Sequence, residues 1–141
     1  MAPNIGKTGL PPGTIVYSGE QRTEKVKITL LEYNEKEFIE KDFYDIDQCL
    51  TFVQPDMVKW INVDGIHNTE IIEKIGKLFN IHSLTLEDIV STDQRPKFED
   101  YDNYVVSIMK MLYYDVEIHS EQLCIILMDN NTVIVFYCKF S

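Results

Sequence analysis

Basic residues are scarce in this chain: 13 lysines and arginines face 23 aspartates and glutamates, giving a formal net charge of −10 and a pI near 4.6. A surface this negative repels the phosphates of nucleic acids and of anionic lipid headgroups and attracts cations and basic partners. No nucleic-acid partner is therefore expected. Long hydrophobic runs are missing too. No stretch approaches the roughly 20 apolar residues of a membrane span, and the opening "MAPNIGKTGLPPG" has no apolar signal core. Cysteine is sparse and odd in number: Cys49, Cys124 and Cys138, with no CxxC. Each sits among apolar neighbours, which suits a reduced, buried thiol of an intracellular protein. A Cys124–Cys138 disulfide is the disfavoured alternative for that compartment. His67, His82 and His119 are scattered, with no HxxxH or HExxH, and the glycines form no P-loop, GxGxxG or GxSxG. These gaps leave enzymatic readings without a foothold, and a soluble intracellular domain with no catalysis is expected.

What is present is a core. At 141 residues and 45% hydrophobic content, one domain is expected. Residues 1–13 read as a flexible lead-in and 14–141 as the domain. "TIVYSG" predicts a short first strand, and "EKVKITLLEYN" alternates Val26, Ile28 and Leu30 against Lys25, Lys27 and Thr29, a half-buried strand. "KEFIEKDFYD" pairs with it through a turn at Asn34–Glu35. "DIDQCLTFV" predicts a short helix capped by Asp45 or Asp47, and "DMVKWINVDG" a strand with Trp60 in the core. In "NTEIIEKIGKLFNIH", Ile71, Ile72, Ile75, Leu78 and Phe79 share one helical face; Asn68 or Thr69 caps it and Asn80 ends it in a left-handed turn. A second helix, "SLTLEDIV", takes Ser83 as its cap. Pro96 in "QRPK" then biases Arg95 away from helix. Three β-rich runs follow, the last two joined at Asp129–Asn131. Their alternating sets are largely apolar on both sides, as in strands covered on both faces. The fold class expected is α/β: a three-layer α/β/α sandwich with a mixed β-sheet.

Chemistry concentrates in the adjacent acids Glu87 and Asp88. At about 100° per residue, Leu86, Ile89 and Val90 share the face of the helix that must be buried. Asp88 then points nearly opposite, toward solvent or a neighbour, with Leu84 exposed beside it and Glu87 on the flank. Two carboxylates do not complete the shell of a hard cation: Mg²⁺ takes about six oxygens and usually keeps several waters. On residue type alone the pair reads more readily as a solvated face than as a metal site. Arg95 and Lys97 stand ready to offset Asp93, Glu99 and Asp100.

"HSLTLEDIVSTDQRPKFEDYDNYVVSIMKML" resembles the segment of CorA-type magnesium/cobalt transporters that runs His-Pro-Leu-x-x-Glu-Asp-Ile, then Gln-Arg-Pro-Lys, then Glu-x-x-x-x-Tyr. "LPPGTIVYSG" and "SEQLCIILMDNNTVIVF" are similar to the flanking pattern, so the resemblance covers nearly the whole chain. Ser83 stands where the family often has Pro; both start helices well. The resemblance implies the N-terminal cytoplasmic α/β domain of a homopentameric channel for Mg²⁺, Co²⁺ and Ni²⁺. The family's stalk helix, two membrane helices and Gly-Met-Asn signature are not in these residues, so membrane attachment is expected only through a C-terminal region beyond them. It further implies a regulatory Mg²⁺ site, with Co²⁺ as a second candidate. Asp88 is its first metal ligand and Glu87 its second, and the partner carboxylate comes from the stalk helix of the adjacent subunit. Bound ions would hold the closed ring, and their loss would let facing acids repel and the pore open. The alternative is a stand-alone acidic interaction module of the same fold without a transport role.

Overall fold

The computed structural model describes residues 11–12, 15–17, 25–92 and 94–137. Seven strands and three helices follow in the order β1 (Lys27–Tyr33), β2 (Phe38–Phe43), α1 (Ile46–Thr51), β3 (Val58–Asp64), α2 (Thr69–Leu78), α3 (Ser83–Val90), β4 (Lys97–Asp100), β5 (Tyr104–Asp115), β6 (Glu117–Met128) and β7 (Thr132–Tyr137). The strands form one sheet in the order β2-β1-β3-β7-β6-β5-β4. Only β3 and β7 run parallel; every other neighbouring pair is antiparallel. The α/β class with a mixed sheet is as expected. Of "TIVYSG", Ile15–Tyr17 lie outside any strand, and the rest lies outside the described residues, as does Cys138.

Short side chains punctuate the elements. The Asn34 carboxamide accepts from the backbone N–H groups of Lys36 and Glu37, both at 2.8 Å, and closes the β1–β2 turn. Asp45 caps α1, and Asn68 caps α2 by accepting from Glu70 and Ile71. Asn80 ends α2 at φ +54°, in the left-handed region its short polar side chain tolerates. At α3 the cap is His82, one residue before the expected Ser83: its Nδ1 accepts from Leu84 N at 3.0 Å. The imidazole offers the same acceptor as a serine hydroxyl, and its ring lies against Tyr101. Gly76 sits where α2 meets α3, so close to Leu86 that a Cβ there would collide with it.

The pleat sorts each strand into two sets. One set comprises Ile28 and Leu30 of β1, Ile61 and Val63 of β3, Ile134 and Phe136 of β7, Cys124 and Ile126 of β6, and Val106 and Ile108 of β5. All are buried, and they form one cluster with Ile46 and Cys49 of α1, Ile72 and Ile75 of α2, and Leu86, Ile89 and Val90 of α3. All three helices therefore cover this face. Buried Glu32 belongs to it too, and its carboxylate accepts from Gln54 N at 2.8 Å. The opposite face carries Leu31, Tyr33, Phe38, Trp60 and Leu127, which stay partly or largely exposed. Among the described residues no helix covers it, so they supply one of the two helical layers expected of a sandwich.

Three placements depart from the sequence expectation. Trp60 is 38% exposed on the open face; its indole N–H donates to Asn62. Leu78 is 47% exposed, whereas Ile72 and Ile75 of the same helix are fully buried. Leu112 shares the pleat of Val106 and Ile108, yet burial stops at Ile108. The outer halves of β5 and β6 run past the helical layer as a two-stranded arm, leaving Leu112, Tyr114 and Ile118 exposed.

Candidate functional site

Asp88 and Glu87 occupy the second half of α3. Leu86, Ile89 and Val90 anchor that helix in the core, and Thr85 is buried beneath it, its hydroxyl 2.8 Å from that of Tyr104. The Tyr104 hydroxyl also accepts from His82 N, so one tyrosine on β5 fixes the first turn. Gln122 on β6 fixes the last. Its amide donates to the backbone carbonyls of Asp88 and Ile89 at 3.3 and 3.5 Å, and its carbonyl accepts from Gln94 N at 3.3 Å. The backbone at Asp88 and the "QRPK" segment are thus both tied to the sheet.

Of the two directions the helical wheel allows Asp88, solvent or a neighbour, the structure shows the neighbour. The Asp88 side chain is only 17% exposed, and one oxygen lies 2.5 Å from Nζ of Lys97. The same ammonium reaches Glu99 Oε1 at 2.9 Å, one of the three acids the sequence offers to Arg95 and Lys97. The reason is tertiary. β4 is the last strand of the sheet, so a long side chain rising from its helix-covered face reaches the side of α3 that a wheel for an isolated helix labels outward. Lys97 lies opposite buried Ile108 in the β4–β5 register, which puts its stem on that face. Burial alone pulls the Lys97 ammonium's pKa down; its hydrogen bonds to Asp88 and Glu99 more than reverse this and leave it above the ordinary lysine value. The hydrogen bond from Lys97 holds Glu99 below the usual carboxylate range, with the Tyr101 hydroxyl, 3.3 Å away, adding to it. Close by, burial and then the Asp88 charge push the Cys124 thiol up to about 12, the value of an inert core thiol.

The donors present are hard carboxylate oxygens, the type Mg²⁺ prefers. Their number is small. Among the described residues no group of three or more His, Cys, Asp or Glu side chains converges. A divalent ion on Glu87 and Asp88 would complete its shell with water or with oxygens from another chain. Sequence reasoning missed Gln122 and the Asp88–Lys97 contact. The first contact links residues 34 apart in sequence and the second residues nine apart, so neither leaves a local signal.

A sequence model of the family described as CorA-like Mg²⁺ transporter protein matches residues 56–140. A protein of Thermotoga maritima described as cobalt/magnesium transport protein CorA is 43% identical over 138 residues, covering 96% of this chain and 39% of its own length. The chain thus spans about two-fifths of that relative. Solved structures share the fold. The full-length CmaX protein superposes with a TM-score of 0.63 at 12% identity, covering 86% of this chain and 37% of its own. The soluble domain of CorA from Methanocaldococcus jannaschii gives 0.54 at 14% identity over 79% of this chain and 41% of its own. Among the described residues no helix is long and apolar enough to cross a membrane. With more than half of its length matched by the family model and a relative at 43% identity, this chain belongs to the CorA-like Mg²⁺ transporter family.

Proposed function

We propose that this chain is the Mg²⁺-sensing regulatory domain of a CorA-like divalent-cation channel, that it works without catalysis, and that it gates by metal binding between subunits of a homopentamer. The observation that carries this reading is the 43% identity, over 96% of the chain, to a protein described as transporting cobalt and magnesium. The chemistry of α3 supports it. The backbone at Asp88 is held by the core packing of α3 and by Gln122, so its side chain projects from a fixed point. Glu87 adjoins it. Two acids are half a site, and the remaining oxygens would come from the stalk helix of an adjacent subunit. Bound Mg²⁺ would supply the positive charge that lets such facing carboxylates stay together. Without it the acids repel, in a chain already at −10, and the ring loosens. In this reading the full protein is attached to the membrane through a C-terminal region, and this chain lies on the cytoplasmic side.

The full-length protein tests the reading. Asp88→Lys replaces the ion with a fixed ammonium, so transport should lose its dependence on cytoplasmic Mg²⁺. Unchanged Mg²⁺ feedback in liposome flux measurements would remove Asp88 from the sensor. The chain alone should bind Mg²⁺ weakly, and tight stoichiometric binding by calorimetry would overturn the half-site.

A further inference from the structure

Asp88 already has a cation. Lys97 holds its carboxylate at 2.5 Å while holding Glu99 at 2.9 Å, and the three side chains together carry a net charge of −1. We infer that Lys97 is a built-in competitor for the metal: its ammonium occupies Asp88 when Mg²⁺ is low, must be displaced when Mg²⁺ binds, and so sets the concentration at which the site responds. This rests on the reading of Asp88 as a metal ligand.

Three features make the pair a reversible latch rather than a fixed structural bridge. Glu99 follows Lys97 by two residues on β4 and shares its face of the sheet, so an ammonium released by Asp88 keeps an anion and is not stranded in a half-buried position. The Tyr101 hydroxyl donates to Glu99 and steadies that second seat. The Asp88 backbone is held by Gln122, independently of Lys97, so the side chain keeps its anchoring point whichever cation it has. The energetic consequence follows from like charges sharing one ligand. An ammonium and a divalent ion cannot both lie against the same carboxylate without strong repulsion. Metal binding therefore includes the cost of breaking a charge-assisted hydrogen bond, which weakens affinity and moves the response to higher Mg²⁺. Displacement also unties α3 from the edge strand β4, giving metal binding a mechanical readout inside one subunit.

The experiment is a Mg²⁺ titration of this chain followed by backbone amide resonances of residues 87–89 and 97–99, together with the Lys97 side-chain ¹³Cε signal. In the wild type, saturation should move the Lys97 ¹³Cε signal along with the Asp88 amide. Lys97→Met should half-saturate at roughly tenfold lower Mg²⁺. Lys97→Arg, which keeps the charge, should stay near the wild type. Glu99→Gln removes the alternative seat and should raise the half-saturation point severalfold, a second variant of opposite sign should Lys97→Met fail to fold. Lys97→Met combined with Asp88→Asn should lose the gain. A folded Lys97→Met that binds no tighter, or a Lys97 side-chain signal unmoved at saturation, overturns the competitor role. If Asp88→Asn leaves the wild-type titration unchanged, Asp88 is no ligand and both readings fall. If it weakens binding while Lys97→Met does not tighten it, only the latch falls.

Discussion

The two faces of the sheet are built from the same strands and similar residues, yet they end in different states. On β6, Ile126 is fully buried under the helices, while its neighbour Leu127 is 51% exposed on the other side. On β3, Ile61 is 1% exposed and Trp60 38%. The difference lies in what each face meets. Three helices converge on one, and among the described residues none reaches the other. Apolar character makes a strand face able to be buried; only a partner element buries it.

Substitution at adjacent β6 positions tests that contrast most severely. Ile126→Ala should cost about 2–5 kcal/mol in urea unfolding, through lost transfer energy plus the cavity left behind. Leu127→Ala should cost about 1 kcal/mol, because half of its surface is already in water. Equal costs would mean that the open face is covered in solution. The helical layer itself is tested next. Gly76→Ala adds a methyl against buried Leu86. Overpacking of about 1–3 kcal/mol should outweigh the gain of about 1 kcal/mol in helix propensity, so the midpoint should fall; a rise would show that α2 and α3 separate easily. The last test reports on the covered face through its thiols, one small increment each. Burial and then the Glu32 charge lift Cys49 to about 11, and Cys124 reaches about 12, both above the ordinary 9.0. Folding keeps both thiols protonated, a contribution complete below pH 9 and lost as pH rises toward those folded values. At pH 10 the loss should be about 1 kcal/mol per thiol. Iodoacetamide at neutral pH should leave both unmodified until the chain unfolds, as read by mass spectrometry.

Local chemistry was legible in the chain. The alternation of Val26, Ile28 and Leu30, the Asn34 turn, the Asp45 and Asn68 caps and the left-handed Asn80 all follow from side chains acting within a few residues, and each is found where the sequence put it. The exceptions share one cause. Residue type puts Trp60 in the core and periodicity puts Leu78 on the apolar face of α2, but neither says whether anything covers that side. For Asp88 the wheel leaves solvent or a neighbour open, and it knows nothing of the strand that supplies the neighbour. The ion pair to Lys97 joins residues nine apart in sequence, and Gln122 reaches Asp88 across 34 residues. No periodicity encodes either contact.

By itself, then, the sequence determined the α/β class, the caps and turns of its elements and the family resemblance, because propensity, capping and pattern act locally. Only the tertiary structure decided which side of the sheet became the core and that Asp88 begins with an internal cation. Both depend on which distant surfaces meet, and the meeting of β4 with α3 exists only once the edge strand has joined the sheet.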